Sequence, residues 1–302
     1  MKLIPHKSNL CSKFAEKMIS VKICDKCNGH CYFCVDKGGY KINATNPQKI
    51  IESAVSLPEY KTVIITGGEP FLVFDDVITV LEGLREHKTR LVLNTNGSLL
   101  TFEKIKQLNG VLDELQISIH NFDENKNSQI FGIPISFEKI KNLICKTEFL
   151  VAINSTFNSS YETEEEKQVM YSEMVHLAQY LGAKKLRLTE LKKINNPLLA
   201  KDFYLGEKDD KYLITNGCTE YRSLNNIDIS IKRLCKYAKG ENATAFSCCF
   251  IDVAGQQKIE VDTIDTFKVI YGDGLTTNDW IFATSRKQLS IEVTPTPAQE
   301  AR

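Results

Sequence analysis

Apolar and polar positions alternate along this chain in two distinct rhythms, and the two rhythms take turns. Short runs rich in β-branched residues, ISVKIC (19–24), TVIIT (62–66), RLVLNT (90–95), ELQISIH (114–120), FLVAINSTF (149–157) and KKLRLTEL (184–191), read as six strands. Between them, apolar residues recur three and four apart at 47–56, 75–87, 101–108, 136–146 and 162–181, the period of an amphipathic helix. The last of these opens on Glu162, Glu164, Glu165 and Glu166, which favour a helix N-terminus electrostatically. Strand followed by helix, repeated, predicts βα units and a parallel sheet. Right-handed crossovers wind six such units into a partial (βα)6 barrel of the TIM type, with all strand C-termini on one rim where chemistry collects. The alternation stops after Leu191. Residues 192–217 are polar and irregular, and strand-like runs follow, including AFSCCFIDV (245–253) and FKVIYG (267–272), with KGEN (239–242) as a turn. The expected organisation is a short N-terminal segment (1–18), the barrel core (19–191), a small β-rich C-terminal extension (192–284) and a disordered tail (285–302) ending TPTPAQEAR.

Composition narrows the class. With 302 residues, 42% of them hydrophobic, the chain can bury a substantial core, and its 38 basic and 38 acidic residues leave no net charge to draw it to nucleic acid or an anionic membrane. No apolar stretch reaches the roughly 18 residues of a membrane span, and the N-terminus lacks the apolar centre of a secretory signal. A cytoplasmic protein is expected.

The ten cysteines change the picture further. Cys24, Cys27, Cys31 and Cys34 fall within one short segment directly after the first strand, which argues for metal ligation in a reducing compartment. A second, looser set comprises Cys218, Cys235, Cys248 and Cys249, while Cys145, in a helical pattern, reads as a small buried residue. The spacing C-x3-C-x2-C of Cys27, Cys31 and Cys34 supplies three thiolates to one centre, which would leave one iron of a 4Fe–4S cluster open to a ligand. Including Cys24 gives C-x2-C-x3-C-x2-C, a pattern suited to a closed cluster or a structural zinc, and hence to a binding module with no catalysis. Cys24 ends the predicted strand, where alternation can aim it inward instead. No G-x-S-x-G elbow or H-E-x-x-H pair supports hydrolysis.

The segment CNGHCYFC, with the aromatic Phe33 before its last cysteine, resembles the signature of the radical S-adenosylmethionine (SAM) superfamily, and TGGEP (66–70), directly after the second strand, is similar to that family's SAM-contacting turn. The resemblance implies that Cys27, Cys31 and Cys34 hold a 4Fe–4S cluster that cleaves SAM reductively, giving a 5′-deoxyadenosyl radical that abstracts hydrogen from a substrate. It implies a SAM pocket containing Phe33, Gly67, Gly68, Glu69 and Pro70, with Asn94 and Asn96 of LNTNG and with Ser118 and Asn154 on the fourth and fifth strands. The two glycines would let backbone approach the ligand, and Glu69 would offer a carboxylate to its ammonium. His120 ends the fourth strand and is a candidate to face substrate. An electron donor of flavodoxin or ferredoxin type is implied as partner.

The C-terminal cysteines resemble a truncated form of the auxiliary-cluster domain (SPASM or twitch) found on some members. Cys218, Cys235, Cys248 and Cys249 are therefore candidates for an auxiliary iron–sulfur cluster, and one of them for a hydrogen donor; buried core cysteines are the plain alternative. That look favours a ribosomally made peptide as substrate. A nucleotide or other small molecule is the alternative, for which a cluster of Arg or Lys inside the barrel is expected; Arg187 is the evident candidate in the sequence.

Overall fold

The computed structural model describes residues 17–34, 39–156, 163–189, 219–232, 250–251, 257–258, 267–278 and 280. Within them the six core strands are β1 (Met18–Lys22), β2 (Thr62–Thr66), β3 (Arg90–Thr95), β4 (Glu114–Ser118), β5 (Leu150–Thr156) and β6 (Lys185–Thr189), paired in parallel in that order. The intervening helices are α1 (Pro47–Val55), α2 (Phe74–Arg85), α3 (Phe102–Leu108), α4 (Glu124–Phe131), α5 (Phe137–Ile144) and α6 (Glu164–Leu181). Local sequence sets their ends. Asn46 caps α1 ahead of Pro47, and Thr101 and Ser136 cap α3 and α5 by accepting from the backbone N–H three residues on. Thr163 and Glu166 form a capping box on α6, which ends at the left-handed Gly182. This is the α/β, partial-barrel architecture that the alternation predicts.

The strand registers divide the sheet into two unlike faces. Ile19, Val21, Val63, Ile65, Leu91, Leu93, Leu115, Ile117, Val151, Ile153, Leu186 and Leu188 share one face and are buried in the main core with the helices. Each such side chain contributes about 1.5–3 kcal/mol by leaving water. The residues of opposite parity form the barrel's inner face. From β3 to β6 these include Arg90, Asn94, Glu114, Gln116, Ser118, Asn154, Lys185 and Arg187, a polar set.

Two additions seal the edges of the parallel core. After β6 the chain forms a hairpin of β7 (Thr219–Leu224) and β8 (Ile227–Lys232), with β8 parallel to β6. Its turn is Asn225-Asn226, both at positive φ (53° and 63°), the geometry that matches strand twist. Beyond a two-residue pair, β9 (Phe250–Ile251) with β10 (Gln257–Lys258), the run expected at 267–272 becomes β11 (Phe267–Tyr271) and lies parallel to β1. A final strand, β12 (Thr276–Thr277), pairs antiparallel with β11, and the sheet order is β12-β11-β1-β2-β3-β4-β5-β6-β8-β7. Two segments drawn from the predicted extension thus complete the core sheet, covering backbone groups that a six-stranded edge would expose.

α4 was absent from the predicted helices because its sequence, ENKNSQIF, buries only Asn127, Ile130 and Phe131. Its signals are terminal instead, with Asp123 as N-cap and Gly132 left-handed at the C-terminus. Cys145, expected to be buried, is exposed: α5 ends at Ile144, and the Cys145 thiol donates back to the Asn142 carbonyl oxygen (3.1 Å).

Candidate functional site

The cysteine loop leaves the end of β1 and is bolted to the turn after β2 by main-chain hydrogen bonds. Gly68 N–H donates to the Cys24 carbonyl oxygen (2.8 Å) and Glu69 N–H to that of Lys26 (2.7 Å). Gly67, at φ 146°, and Gly68 are tight because that backbone runs against them: a Cβ on Gly68 would lie 2.1 Å from the Lys26 oxygen, and one on Gly67 2.7 Å from the Cys24 oxygen. The pair therefore answers a close approach within the chain itself.

Glu69 is 1% exposed and works as a staple. One carboxylate oxygen accepts from Thr95 Oγ1 (2.7 Å) and Phe71 N–H (3.1 Å), the other from Asn96 N–H (2.8 Å). Burial holds this carboxyl above its ordinary range, against the pull of those donors. Pro70, itself buried, follows as the first residue of a 3-10 turn, Pro70–Val73. The third strand end is tied in as well. Asn96 Nδ2 donates to Asn28 Oδ1 (2.9 Å), and Asn28 Nδ2 donates to Ser98 Oγ (2.9 Å), so the residue after Cys27 is gripped by the LNTNG turn. Asn94 reaches the inner face with a buried Oδ1 that has no hydrogen-bond donor.

The four cysteines of this segment separate into two kinds. Cys24 is 4% exposed, its thiol donates to the carbonyl oxygens of Lys26 (3.5 Å) and Glu69 (3.6 Å), and burial pushes its pKa up to about 11. Cys27 is exposed and Cys31 and Cys34 are half-buried. Gly29 N–H already points at Cys27 Sγ (3.3 Å), a donor suited to a thiolate. Among the described residues no three Cys, His, Asp or Glu side chains yet surround one point, so holding a cluster requires the thiols of this loop to turn toward one another. Three accessible soft ligands beside one sealed thiol fit an iron–sulfur group with an open position, and the sealed Cys24 is a poor fourth ligand. Cys24→Ala is expected to cost about 1 kcal/mol, for a small buried group, and to leave iron loading unchanged. Iron content after reconstitution, alongside a urea melt, measures both; iron lost to the extent seen on removing Cys27 would restore Cys24 as a ligand.

Phe33 is buried and meets His120 edge-on (centroids 4.9 Å, 84°), and His120 in turn stacks on Phe131 of α4 (4.9 Å, 21°). His120 was a candidate to face substrate; it is 7% exposed instead, and its Nδ1 accepts from Thr156 N–H (3.0 Å). Burial pushes its pKa down to about 3, so the ring is neutral and its proton sits on Nε2. His120 therefore helps seat the cysteine loop, as does the hydrogen bond from His30 N–H to the Phe131 carbonyl oxygen (2.7 Å).

Deeper on the inner face, Glu114 gathers charge in a way the sequence did not reveal. Its Oε2 meets Arg90 (2.6 Å) and Lys185 (2.9 Å), and its Oε1 meets Gln116 (2.7 Å) and Arg187 (3.2 Å). Ser118 and Asn154 stand opposite each other in register, in the same row as Arg187. Cys218, Cys235, Cys248 and Cys249 lie outside the described residues.

Comparison with known proteins agrees with this geometry. Residues 21–146 match the Radical SAM superfamily model. A probable GTP 3′,8-cyclase of Pyrococcus abyssi is 28% identical over 130 residues, 41% of this chain and 42% of that protein. An S-adenosylmethionine-dependent nucleotide dehydratase of a Thermoplasmatales archaeon is 30% identical over 115 residues, 37% of this chain and 40% of that one. The matches thus span about two-fifths of these relatives. Among solved structures, Streptococcus suis SuiB bound to its precursor peptide SuiA superposes with a TM-score of 0.61 at 15% identity, covering 90% of this chain and 62% of that one, a likeness of fold.

Proposed function

With a radical SAM superfamily domain over residues 21–146, we propose that this chain is a radical SAM enzyme, with Cys27, Cys31 and Cys34 as ligands of its 4Fe–4S cluster. The observation that carries the reading is the division of the cysteine segment: three accessible thiols on the barrel rim, and Cys24 sealed beneath them. When bound, the cluster and SAM supply a one-electron cleavage that yields a 5′-deoxyadenosyl radical, and this takes a hydrogen atom from substrate.

The chain's own residues have the remaining tasks. The backbone of Gly67 and Gly68 and the carboxylate of Glu69 lock the turns after β2 and β3 to the cysteine loop, so the SAM pocket is framed before SAM arrives. Asn94, with its orphaned oxygen, and Ser118 and Asn154 on the inner face are the side chains offered to SAM. Phe33 and His120 close the floor under the loop and exclude water. The electron arrives from a small reductant protein of flavodoxin or ferredoxin type, in the reducing cytoplasm that such thiols need.

For the substrate, a nucleotide or other phosphorylated small molecule is the better-supported class, because Arg90, Lys185 and Arg187 supply the cations inside the barrel that such a substrate needs. A peptide substrate is the second reading, favoured by the fold shared with SuiB over most of this chain.

Anaerobic reconstitution with iron and sulfide, followed by dithionite and SAM, tests the enzyme. Wild type is expected to release 5′-deoxyadenosine, and a variant with Cys27, Cys31 and Cys34 all changed to Ala to fall to background. A fully loaded wild-type protein that never cleaves SAM would instead be a closed-site binding module.

A further inference from the structure

We propose that Arg187 and Ser230 seat the phosphate of a small phosphorylated substrate on the inner face of the barrel. This rests on the enzymatic reading above and adds where the substrate is held. Ser118, Asn154, Arg187 and Ser230 are register partners on β4, β5, β6 and β8, so they stand in one row across four adjacent strands. Neighbours in such a row are about 4.8 Å apart. Ser118 and Asn154 form the half nearer the SAM side; Arg187 and Ser230 form the other half.

The charge around Arg187 is unbalanced. Glu114 accepts two contacts on each oxygen and is saturated, yet it faces three cations, Arg90, Lys185 and Arg187. Asp228, the register partner of Lys185 on β8, is exposed, and counting it still leaves a positive excess. Tyr221 on β7 faces Arg187 as well.

Arg187 Nη2 contacts Glu114 at the long distance of 3.2 Å, and the Arg187 side chain remains 33% exposed. A guanidinium has five N–H donors in a planar fork, so the contact with Glu114 leaves most of them to other acceptors. A phosphate brings two charges and three acceptor oxygens, enough to take the fork in bidentate fashion and a hydroxyl donor from Ser230. Arg187 also sits two residues before Thr189, the last residue of β6, about 6.6 Å below the rim. A phosphate held there leaves the rest of a small molecule at the height of the cysteine loop, where hydrogen abstraction occurs.

Calorimetric titration of the reconstituted full chain with inorganic triphosphate, GTP and succinate tests the site. Wild type is expected to bind triphosphate and GTP well above succinate. Arg187→Gln should weaken both by about tenfold or more and Ser230→Ala by about fivefold, the worth of charge-assisted hydrogen bonds. Arg187→Lys should fall between wild type and Arg187→Gln, because it keeps the charge and loses the fork. If a melt shows Arg187→Gln to be unfolded, Arg187→Lys and Ser230→Ala decide. Equal binding by wild type and variants, no binding of either phosphate probe by wild type, or succinate matching triphosphate would each overturn the proposal. Release of 5′-deoxyadenosine by wild type, measured separately, shows whether the enzymatic reading has failed with it or survives it.

Discussion

Gly68→Ala is expected to abolish cluster loading while a comparable change elsewhere is tolerated. The added Cβ would lie 2.1 Å from the Lys26 carbonyl oxygen, 2.5 Å from its carbon and 2.8 Å from the Asp25 oxygen, all backbone atoms. No side-chain rotation relieves such a contact. The segment 24–26 has to back away, which breaks the Gly68-to-Cys24 and Glu69-to-Lys26 hydrogen bonds and displaces Cys27, the next residue. Overpacking together with two lost buried hydrogen bonds comes to about 3 kcal/mol. Gly83→Ala on α2 is the control. There the nearest atom, at 2.4 Å, is the mobile end of the Ile51 side chain, and the helix gains about 1 kcal/mol from Ala in place of Gly. Iron content and urea melts of the two variants should diverge, with Gly68→Ala near the iron level of the triple cysteine variant. Gly68→Ala that loads iron like wild type would show that this docking does not govern the loop.

The same glycine shows where the sequence stops being informative. TGGEP is visible as a motif, and the pattern places it after a strand, but two glycines look alike whether a ligand or the chain's own backbone presses on them. Residues 24–26 and 67–68 are some forty positions apart, and only the register of β1 on β2 brings them together. The six strands and five of the helices were legible because each buries a continuous apolar stripe, which is a local signal. α4 has almost none: Asn127 spends its Oδ1 on the N–H groups of His120 and Asn121, and the helix acts as a polar clamp whose marks are its caps. The β7–β8 hairpin carries a local signal in Asn225-Asn226, a turn pair absent from the turn expected in the extension, KGEN (239–242).

His120 illustrates the converse. Its place at a strand end made it a candidate to face substrate, and only packing from two other elements, Phe33 of the cysteine loop and Phe131 of α4, shows that it is part of the seat. The three cysteines proposed as ligands stand out by their spacing, whereas setting Cys24 apart from them rests on its burial and its two carbonyl partners. Local pattern thus carries the fold and names candidate ligands, while the selection among similar residues is made by contacts distant in sequence.

Glu114→Gln should be among the most destabilising single changes on the inner face, at about 3 kcal/mol near neutral pH. Glu114 is 2% exposed and is the shared counter-ion of three cations, drawn from β3 and β6. Removing one charge from a buried network leaves its partners uncompensated, a cost of about 3–5 kcal/mol. The lower end applies because Arg90, Lys185 and Arg187 keep 31%, 29% and 33% of their side chains in water. The pH dependence follows from the same geometry. Burial alone would raise the Glu114 carboxyl, but Lys185, Arg187, Gln116 and Arg90 override it and hold the group below its ordinary range. With the folded value depressed, the unfolded chain takes up the proton first as pH falls. The stabilisation is therefore fully present above the ordinary value of 4.5 and is lost as pH drops through the folded one. Urea melts of wild type and Glu114→Gln from pH 7 downward isolate this group, since all other carboxylates cancel in the difference. The gap should hold constant to about pH 5 and narrow below it. A gap under about 1 kcal/mol at neutral pH, the range of an exposed pair, would mean that solvent, and not Glu114, balances the three cations.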